Sequence, residues 1–321
     1  MKSVRQILCL CLLLSTAYVQ AEEVIRLGNL KLAHFGAVSY MKEIAPKCGI
    51  KIEERIFAKG PDIMQAIIAG ELDAGASASE AAISGRANGA PIVVVAGFAR
   101  GGARLLSRAD LALKTVESLK GKKVGVTRGG IQEVLLAAEL AQHQITWSDQ
   151  PGKDVQIIYL AYPDLNQALM QKNVDAIMQS EPYSSQALAQ KWGTEILKPY
   201  DTPIGEPIRT LVLTEKFYAN KPLAQKFMQC FVMATKTFID NPSVAQKYVS
   251  ENIFKGQLSA EEFHAAISNS PYTYNITPDH IQKTADTMFK YGIGKMTAAP
   301  MATQFVKTDL LDEAKKSLGV K

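Results

Sequence analysis

A glycine turn between a predicted strand and a predicted helix could bind an anion. Lys122–Val126 has the composition of a strand, Thr127-Arg128-Gly129-Gly130 follows it, and Ile131–Gln142 has the apolar spacing of a helix. The first turn of a helix has free backbone N–H groups and the positive end of the helix dipole. Thr127 adds a hydroxyl, and Arg128 either adds positive charge or points to solvent. The sequence therefore predicts an anion site at residues 127–130.

A motif that occurs twice positions the other polar candidates. One copy begins at Pro61 and the other at Pro163, and each reaches an Asp-Ala pair, at Asp73 and Asp175, after the same spacing. Proline tolerates the missing N–H of a first helical turn, and the acid behind it favours the helix start. Each copy therefore predicts a helix, a tight turn and a short strand, and the chain contains two related halves.

Polar residues follow the predicted strand of each copy. The first copy leads into Ser77-Ala78-Ser79-Glu80 and the second into Gln179-Ser180-Glu181-Pro182. An open α/β sheet binds its ligand at the carboxyl ends of its strands, so both sets are predicted to line a crevice. Glu181 pairs with a cationic ligand group or with Arg128 or Arg209 in the wall, or else it caps the following helix.

Ring-bearing residues lie beside the same predicted turns, but the usual catalytic motifs are missing. His34, Phe35 and Tyr183 either wall the crevice or pack in the core. The sequence has no HExxH pair, no GxSxG elbow, no phosphate loop ending in GK[ST] and no GxGxxG after an early strand. The four histidines lack ligand spacing. We therefore expect a binding protein with no catalytic residue, metal site or cofactor.

Strand and helix patterns alternate up to residue 214, which indicates an α/β fold with doubly wound sheets. From residue 221 onward the patterns are helical only, and we expect these helices to pack on the first lobe. The first lobe is predicted to comprise residues 22–106, the second lobe residues 107–207, and the return to the first lobe residues 208–321. Segments 105–107 and 208–214 are predicted to form the hinge.

Residues 1–21 have the pattern of a secretory signal. Lys2 and Arg5 are followed by an apolar run and by a small-residue cleavage site that ends at Ala21. The apolar run is well short of the roughly 20 residues of a membrane helix. We therefore expect cleavage after Ala21.

Charge and cysteine content limit the remaining classes. The formal net charge is +5 at pH 7, and no run of Lys and Arg with interleaved aromatics occurs, so nucleic-acid binding has no support. Beyond the predicted signal the cysteines are Cys48 and Cys230. An exported protein could pair them, or they could remain buried thiols.

Four stretches together resemble the nitrate/sulfonate/taurine-type substrate-binding proteins of ABC importers. They are residues 24–28, residues 60–75, residues 118–126, and Val174-Asp175-Ala176 with Glu181-Pro182-Tyr183. The resemblance extends over nearly all of the chain beyond the predicted signal, including the late helix that ends in Phe289-Lys290-Tyr291-Gly292.

The resemblance implies a type II periplasmic binding protein. Such a protein has two lobes, each an open, mostly parallel sheet with helices on both faces, and a two-segment hinge. It would be a periplasmic monomer that closes over a small-molecule ligand and delivers it to an ABC transporter permease in the inner membrane. Carried over by position, the predicted ligand contacts are His34, Phe35, Gly36, Ser77, Ala78, Ser79, Thr127, Arg128, Gly129, Gly130, Ser180 and Glu181, with Tyr183 beside them.

The expected solute is an organic sulfonate, taurine or nitrate. The resemblance also leaves two alternatives. One is a binding protein for a thiamine pyrimidine precursor or another small heterocycle, favoured if His34, Phe35 and Tyr183 line a flat slot. The other is a biosynthetic enzyme of the same fold, which is disfavoured because the chain lacks a cysteine cluster.

Overall fold

The structure is a computed structural model that describes residues 23–320. The predicted secretory signal, residues 1–21, lies outside these described residues. Within them, no helix combines the length and the apolar character needed to cross a membrane.

Strands and helices alternate in the described chain as predicted, and the last part is mainly helical. The strands are β1 Val24–Leu30, β2 Lys51–Phe57, β3 Ala74–Ala78, β4 Ile92–Arg100, β5 Ala103–Arg108, β6 Lys122–Val126, β7 Trp147–Ser148, β8 Val155–Tyr159, β9 Ala176–Ser180, β10 Gly193–Leu197 and β11 Ile208–Thr214. The helices are α1 Gly36–Ile44, α2 Gly60–Ile68, α3 Ser79–Ala87, α4 Ile131–Gln142, α5 Tyr162–Met170, α6 Tyr183–Ala189, α7 Glu215–Ala219, α8 Lys221–Asp240, α9 Pro242–Tyr248, α10 Ala260–Asn269, α11 Pro278–Lys290, α12 Ala302–Phe305 and α13 Asp309–Ser317.

The strands form two sheets, one in each lobe. The first sheet has the order β2-β1-β3-β11-β4 and the second has the order β10-β5-β9-β6-β8-β7. In the first sheet only β11 runs against its neighbours, and in the second only β5 does. Both are the strands by which the chain enters a sheet from the other lobe. They therefore start at the hinge side, whereas the other strands end there.

Two glycines carry the chain out of the first lobe. Gly101 and Gly102 lie between β4 and β5 with φ values of 67° and 80°. The sequence placed this crossing at residues 105–107, but those residues are part of β5, which pairs with both β9 and β10. Leu105 and Leu106 are fully buried in this strand, and the second sheet begins at Ala103. The chain returns to the first sheet as β11.

The repeated motif performs the same structural task in each lobe. Asp73 accepts the backbone N–H of Arg26 at 2.9 Å, and Asp175 accepts that of Lys123 at 3.0 Å. In each lobe, the aspartate of the motif therefore connects the strand that follows it, β3 or β9, to the neighbouring strand, β1 or β6. The strands after the motif, β3 and β9, begin two residues later than the sequence predicted, because Leu72 and Val174 are buried turn residues.

The long C-terminal helix α8 packs in the core of the first lobe. Phe227 and Phe231 of α8 are buried in the same core cluster as Ile25 of β1 and Val94 of β4. The sequence did not predict α7, α12 or strand β10, all of which are five residues long or shorter. Such short segments hold too few residues for a hydrophobic period to be recognised.

Replacing Gly101 by alanine should destabilise the fold more than the same change at Gly121. Both glycines have positive φ, 67° and 76°, so alanine at either position costs about 1 kcal/mol in backbone strain. At Gly101 the added Cβ would also lie 2.4 Å from the carbonyl oxygen of Asn269, whereas nothing lies within 4 Å at Gly121. We expect Gly101→Ala to lose about 2 kcal/mol more unfolding free energy than Gly121→Ala in urea titrations. Equal losses would contradict the tight crossing.

Candidate functional site

A small chamber lies between the lobes, beside the end of β3 and the start of α4. Its volume is about 10 Å³, close to the space that one water molecule needs. Both lobes contribute polar and aromatic side chains to its wall. Phe35, Glu80 and Arg209 come from the first lobe, and Gln132, Tyr162 and Ser180 come from the second.

Arg209 is a fully buried cation in this wall. Its Nε donates a hydrogen bond to His34 Nε2 at 3.0 Å, while neither terminal nitrogen has a hydrogen-bond partner among the described residues. Burial lowers the pKa of Arg209, and the nearby Glu80 carboxylate opposes that shift. A buried guanidinium with unused donors strongly favours an anionic partner, because two parallel N–H groups match an oxyanion. The chamber is therefore suited to an anionic group.

His34 holds the arginine in place. Burial and the charge of Arg209 lower the pKa of His34 well below its ordinary value, so the ring is neutral. Its Nε2 accepts the Arg209 N–H, which assigns the ring proton to Nδ1. The ring packs edge-on against Phe35, with the ring centroids 4.9 Å apart. Phe35 packs in the same way against Phe98, with the centroids 4.8 Å apart. The two aromatic contacts fix the orientation of the histidine.

Glu80 supplies the opposite charge. It lies in the first turn of α3, is 3% exposed, and has one oxygen, Oε2, without a partner in the described chain. Burial raises the pKa of Glu80 to about 7. The charge of Arg209 and the backbone N–H groups of Glu80, Ala81 and Ile131 act in the opposite direction and lower this pKa. Ile131 is the first residue of α4. The carboxylate therefore reaches across to the helix start of the opposite lobe.

A helix starts directly after the glycine turn, as predicted. The anionic groups beside this helix start are side-chain carboxylates of the protein. The N–H of Gly129 donates to Glu133 Oε2 at 2.6 Å. The N–H of Gly130 donates to the Thr127 carbonyl at 3.2 Å. Together with Glu80, Glu133 thus occupies the positive end of α4 that the sequence assigned to a ligand anion.

Further donors surround the chamber. Gln132 accepts the Tyr162 hydroxyl at 2.7 Å through Oε1, and its Nε2 has no partner among residues 23–320. The same is true of the hydroxyl oxygens of Ser79 and Thr127. Gly130 allows Tyr162 to come this close, since a Cβ there would lie 2.6 Å from the tyrosine oxygen. Arg209 of the first lobe and Gln132 of the second lobe thus both contribute unpartnered donors to the chamber wall.

Glu181 lies outside the chamber wall. Its Oε1 accepts from Arg104 at 2.8 Å and from the side-chain amide of Asn269 at 2.8 Å. Its Oε2 accepts the backbone N–H of Ser185 in the first turns of α6 at 3.1 Å. Glu181 thus pairs with an arginine, which is Arg104 rather than Arg128 or Arg209, and it also caps a helix.

Arg128 and Tyr183 also lie away from the chamber. Arg128 is exposed, pairs with Asp149 at 2.7 Å and lies 3.8 Å above the ring of Tyr159. Tyr183 is half-buried, and its ring packs 6.4 Å from that of Phe254.

The other predicted residues are divided between the chamber and its surroundings. Ala78 and Ser180 line the chamber. Ser77 is buried, and its hydroxyl donates to the Ala78 carbonyl at 3.1 Å. Gly36 lets α1 pack closely, since an added Cβ would lie 2.4 Å from Val249.

A larger groove adjoins the chamber and shares Glu80 with it. Its volume is about 520 Å³, within the usual range for small-molecule sites. Trp147 and Tyr159 of the second lobe and Tyr291 after α11 form aromatic walls, and the rings of Trp147 and Tyr291 are 6.0 Å apart. Arg128 adds positive charge. No set of three His, Cys, Asp or Glu side chains in the described part of the chain is arranged to hold a metal ion.

The polar wall residues Arg209, Glu80, Gln132 and Tyr162 were not among the predicted ligand contacts, although the sequence placed Arg209 in the wall and Glu80 at the crevice. The sequence did indicate a role for Arg209, because a charged residue inside the apolar strand Ile208–Thr214 is rarely buried without a partner. Glu80 directly follows the serines that were predicted. Gln132 and Tyr162 gave no signal, because each is an ordinary residue in the first turn of a helix.

Comparison with known families agrees with this architecture. The model of the NMT1-like family matches residues 23–251. The chain belongs to the NMT1-like family. An Escherichia coli (strain K12) protein named for aliphatic sulfonates binding is 32% identical over 174 residues, 53% of the NMT1-like chain and 50% of that protein. The match thus spans about half of that relative. A Brachyspira hyodysenteriae protein named as an ABC transporter periplasmic binding protein is 25% identical over 303 residues, 86% of this chain and 85% of that one.

Solved structures share the two-lobed fold of the NMT1-like chain. The alkanesulfonate-binding protein SsuA from Xanthomonas axonopodis pv. citri, bound to MOPS, matches with a TM-score of 0.74 and 18% identity over 90% of this chain and 99% of that one. The periplasmic nitrate-binding protein NrtA from Synechocystis PCC 6803 matches with a TM-score of 0.78 and 16% identity over 94% and 90%. These matches confirm the predicted fold.

Glu80→Gln should remove part of the dependence of stability on pH. The pKa of Glu80 is raised from 4.5 to about 7 on folding, so the folded protein binds this proton more tightly than the unfolded chain. The resulting stabilisation is complete below about pH 4.5, is lost as the pH rises through 7, and is on the order of 3 kcal/mol. We expect the variant to gain stability relative to the wild type between about pH 5 and pH 8.

Urea unfolding of both proteins across this range measures the difference. Glu139 also has a raised pKa, about 8, owing to burial and to Asp201. It is present in both proteins and cancels in the comparison. A difference that does not change with pH would contradict the assignment to Glu80.

Proposed function

We propose that this NMT1-like protein is the solute-binding component of an ABC importer and binds a small anionic solute between its lobes. The observation that carries the proposal is Arg209, a buried guanidinium whose terminal nitrogens have no partner among the described residues. Relatives named for aliphatic sulfonates, for ABC transport and for nitrate support the same class. An organic sulfonate, taurine or nitrate fits the guanidinium, because each presents several oxygens to it.

Binding requires that the lobes separate. The chamber holds about one water molecule, so a bound sulfonate requires the lobes to lie farther apart than they do in this conformation. With rotation at Gly101 and Gly102, the solute would reach Arg209 on the first lobe, and Gln132 and Thr127 of the second lobe would then close over it. The solute favours closure only through contacts that it makes with both lobes.

The proposed location follows from the same role. With cleavage after Ala21, the protein would act in the periplasm as a monomer, and its closed form would be the one that an inner-membrane permease recognises.

The contacts of His34 and Tyr183 favour an anion over a thiamine pyrimidine precursor. His34 meets Phe35 edge-on, and Tyr183 packs on Phe254, so these three rings do not enclose a flat slot.

The charge pattern favours a zwitterion among the anionic solutes. Glu80 Oε2 and the terminal nitrogens of Arg209 are unpartnered within residues 23–320, and both residues line the chamber. Taurine would meet both charges, because its sulfonate suits Arg209 and its ammonium suits Glu80. Nitrate would meet only Arg209. The role that the sequence suggested for Glu181 is thus proposed for Glu80.

Arg209→Met should abolish solute binding and keep the fold. Methionine removes the charge at similar length, and the nearby Glu80 can then stay protonated and uncharged, because its pKa is already raised to about 7. Protein that has been unfolded and refolded to remove carried-over solute is screened by thermal shift against sulfonates, taurine, nitrate and thiamine pyrimidines. A solute at about 100 times its Kd stabilises the wild type by about 2.7 kcal/mol. We expect a loss of affinity of at least about 100-fold in the variant.

Arg128→Met is the matched control. Arg128 is exposed, is paired with Asp149 and lies outside the chamber, so we expect less than about a threefold change in Kd. A larger loss in Arg128→Met than in Arg209→Met would move the anion site to the groove. If no anionic solute shifts the wild type, the proposed solute class is wrong.

Glu80→Gln should change which solute is preferred. Taurine would lose the partner of its ammonium group, whereas ethanesulfonate has no such group and would no longer meet a like charge. We expect the ratio of the two affinities, measured by calorimetry, to shift against taurine by about 10-fold or more. An unchanged ratio in a variant that still binds sulfonates would exclude Glu80 as the ammonium partner.

A further inference from the structure

Two thiols meet where α1 packs against α8. Cys48 ends the short 3₁₀ turn Ala45–Cys48 that follows α1, and Cys230 lies in the middle of α8. Cys48 Sγ is 3.7 Å from the Ile44 carbonyl oxygen, and Cys230 Sγ is 3.5 Å from the Met41 carbonyl oxygen. Met41 and Ile44 are three residues apart in one helix and therefore lie on the same face. The two sulfurs lie side by side at the end of α1.

The two thiols differ in exposure and in acidity. Cys48 is partly exposed, and its contact with the Cys230 thiol lowers the pKa of Cys48. Cys230 is fully buried, and both its contact with Cys48 and its burial raise the pKa of Cys230. Cys48 is therefore the thiol that ionises and reacts first, because the thiolate is the nucleophile.

We infer that Cys48 and Cys230 form a disulfide bond when the protein meets an external disulfide, such as glutathione disulfide or a disulfide-exchange protein. The Cys48 thiolate attacks one external sulfur and expels a thiolate, which leaves a mixed disulfide. Cys230 gives up its proton, attacks the Cys48 sulfur and expels the second thiolate. Two protein thiols are oxidised, one external disulfide is reduced to two thiols, and the two protons pass to the expelled thiolates.

The bond would join the two chain segments that build the first lobe. Cys48 belongs to the segment before Gly101, and Cys230 belongs to the segment that returns at Ile208. Without the bond, the only covalent path between them runs through the whole second lobe. The bond would restrict the unfolded chain and stabilise the folded one. Because both cysteines lie in the first lobe, the bond does not cross the cleft, and the inference does not depend on the solute.

The test is thiol mapping of the full chain before and after oxidation. Reduced protein is freed of reductant, incubated with excess glutathione disulfide, denatured with N-ethylmaleimide and mapped by peptide mass. We expect no label on Cys48 or Cys230, a disulfide-linked peptide pair about 2 Da lighter than the two free peptides together, and a Tm roughly 5 °C above that of reduced protein.

Variants decide which step fails if the pair does not form. Cys230→Ala should stop at a stable glutathione adduct on Cys48, and Cys48→Ala should leave Cys230 as an unmodified thiol. Maleimide on both cysteines of oxidised wild type, or a glutathione adduct that persists on its Cys48, would overturn the inference. A bond that forms without raising the Tm would overturn the stabilising role.

Discussion

The architecture of the cleft depends on one buried cation. Arg209 lies near the start of β11, between β3 and β4, with Nε hydrogen-bonded to neutral His34 and with Glu80 nearby. A charge at this depth is tolerated only if its surroundings satisfy it, and here they do so incompletely. The edge-to-face contacts of His34 with Phe35, and of Phe35 with Phe98, fix the group that orients the arginine. The position of the buried charge therefore depends on the packing of these aromatic rings.

The helices and strands could be predicted from the sequence, because their signals come from residues that are close together in the chain. The duplicated motif predicted α2 and α5, and the glycine turn predicted the start of α4 at Ile131. The crossing was misplaced because residues 105–107 look like any apolar segment. Only their pairing with β9 and β10, which are distant in sequence, identifies them as part of a sheet.

The site was harder to predict, because its residues acquire their roles from distant neighbours. Arg209 is only a charge in an apolar strand until β11 is inserted beside β3. Glu181 looked like a ligand residue, but its partners Arg104 and Asn269 come from a strand and a helix far away in the chain. The helix start at Ile131 was predicted correctly, yet the carboxylates beside it belong to Glu80 and Glu133. Sequence spacing reveals which donors exist and does not reveal which acceptors reach them.

The order of strands in the first sheet has a consequence for synthesis on the ribosome. Strand β4, the apolar run Ile92–Arg100, pairs in its sheet with β11 alone, because β11 separates it from β3. Every residue of the second lobe is made between these two strands. While the second lobe emerges and folds, β4 has an unpaired, hydrophobic edge of the kind that promotes aggregation. Strand β4 is therefore covered on this edge only after β11 has been synthesised and inserted beside it.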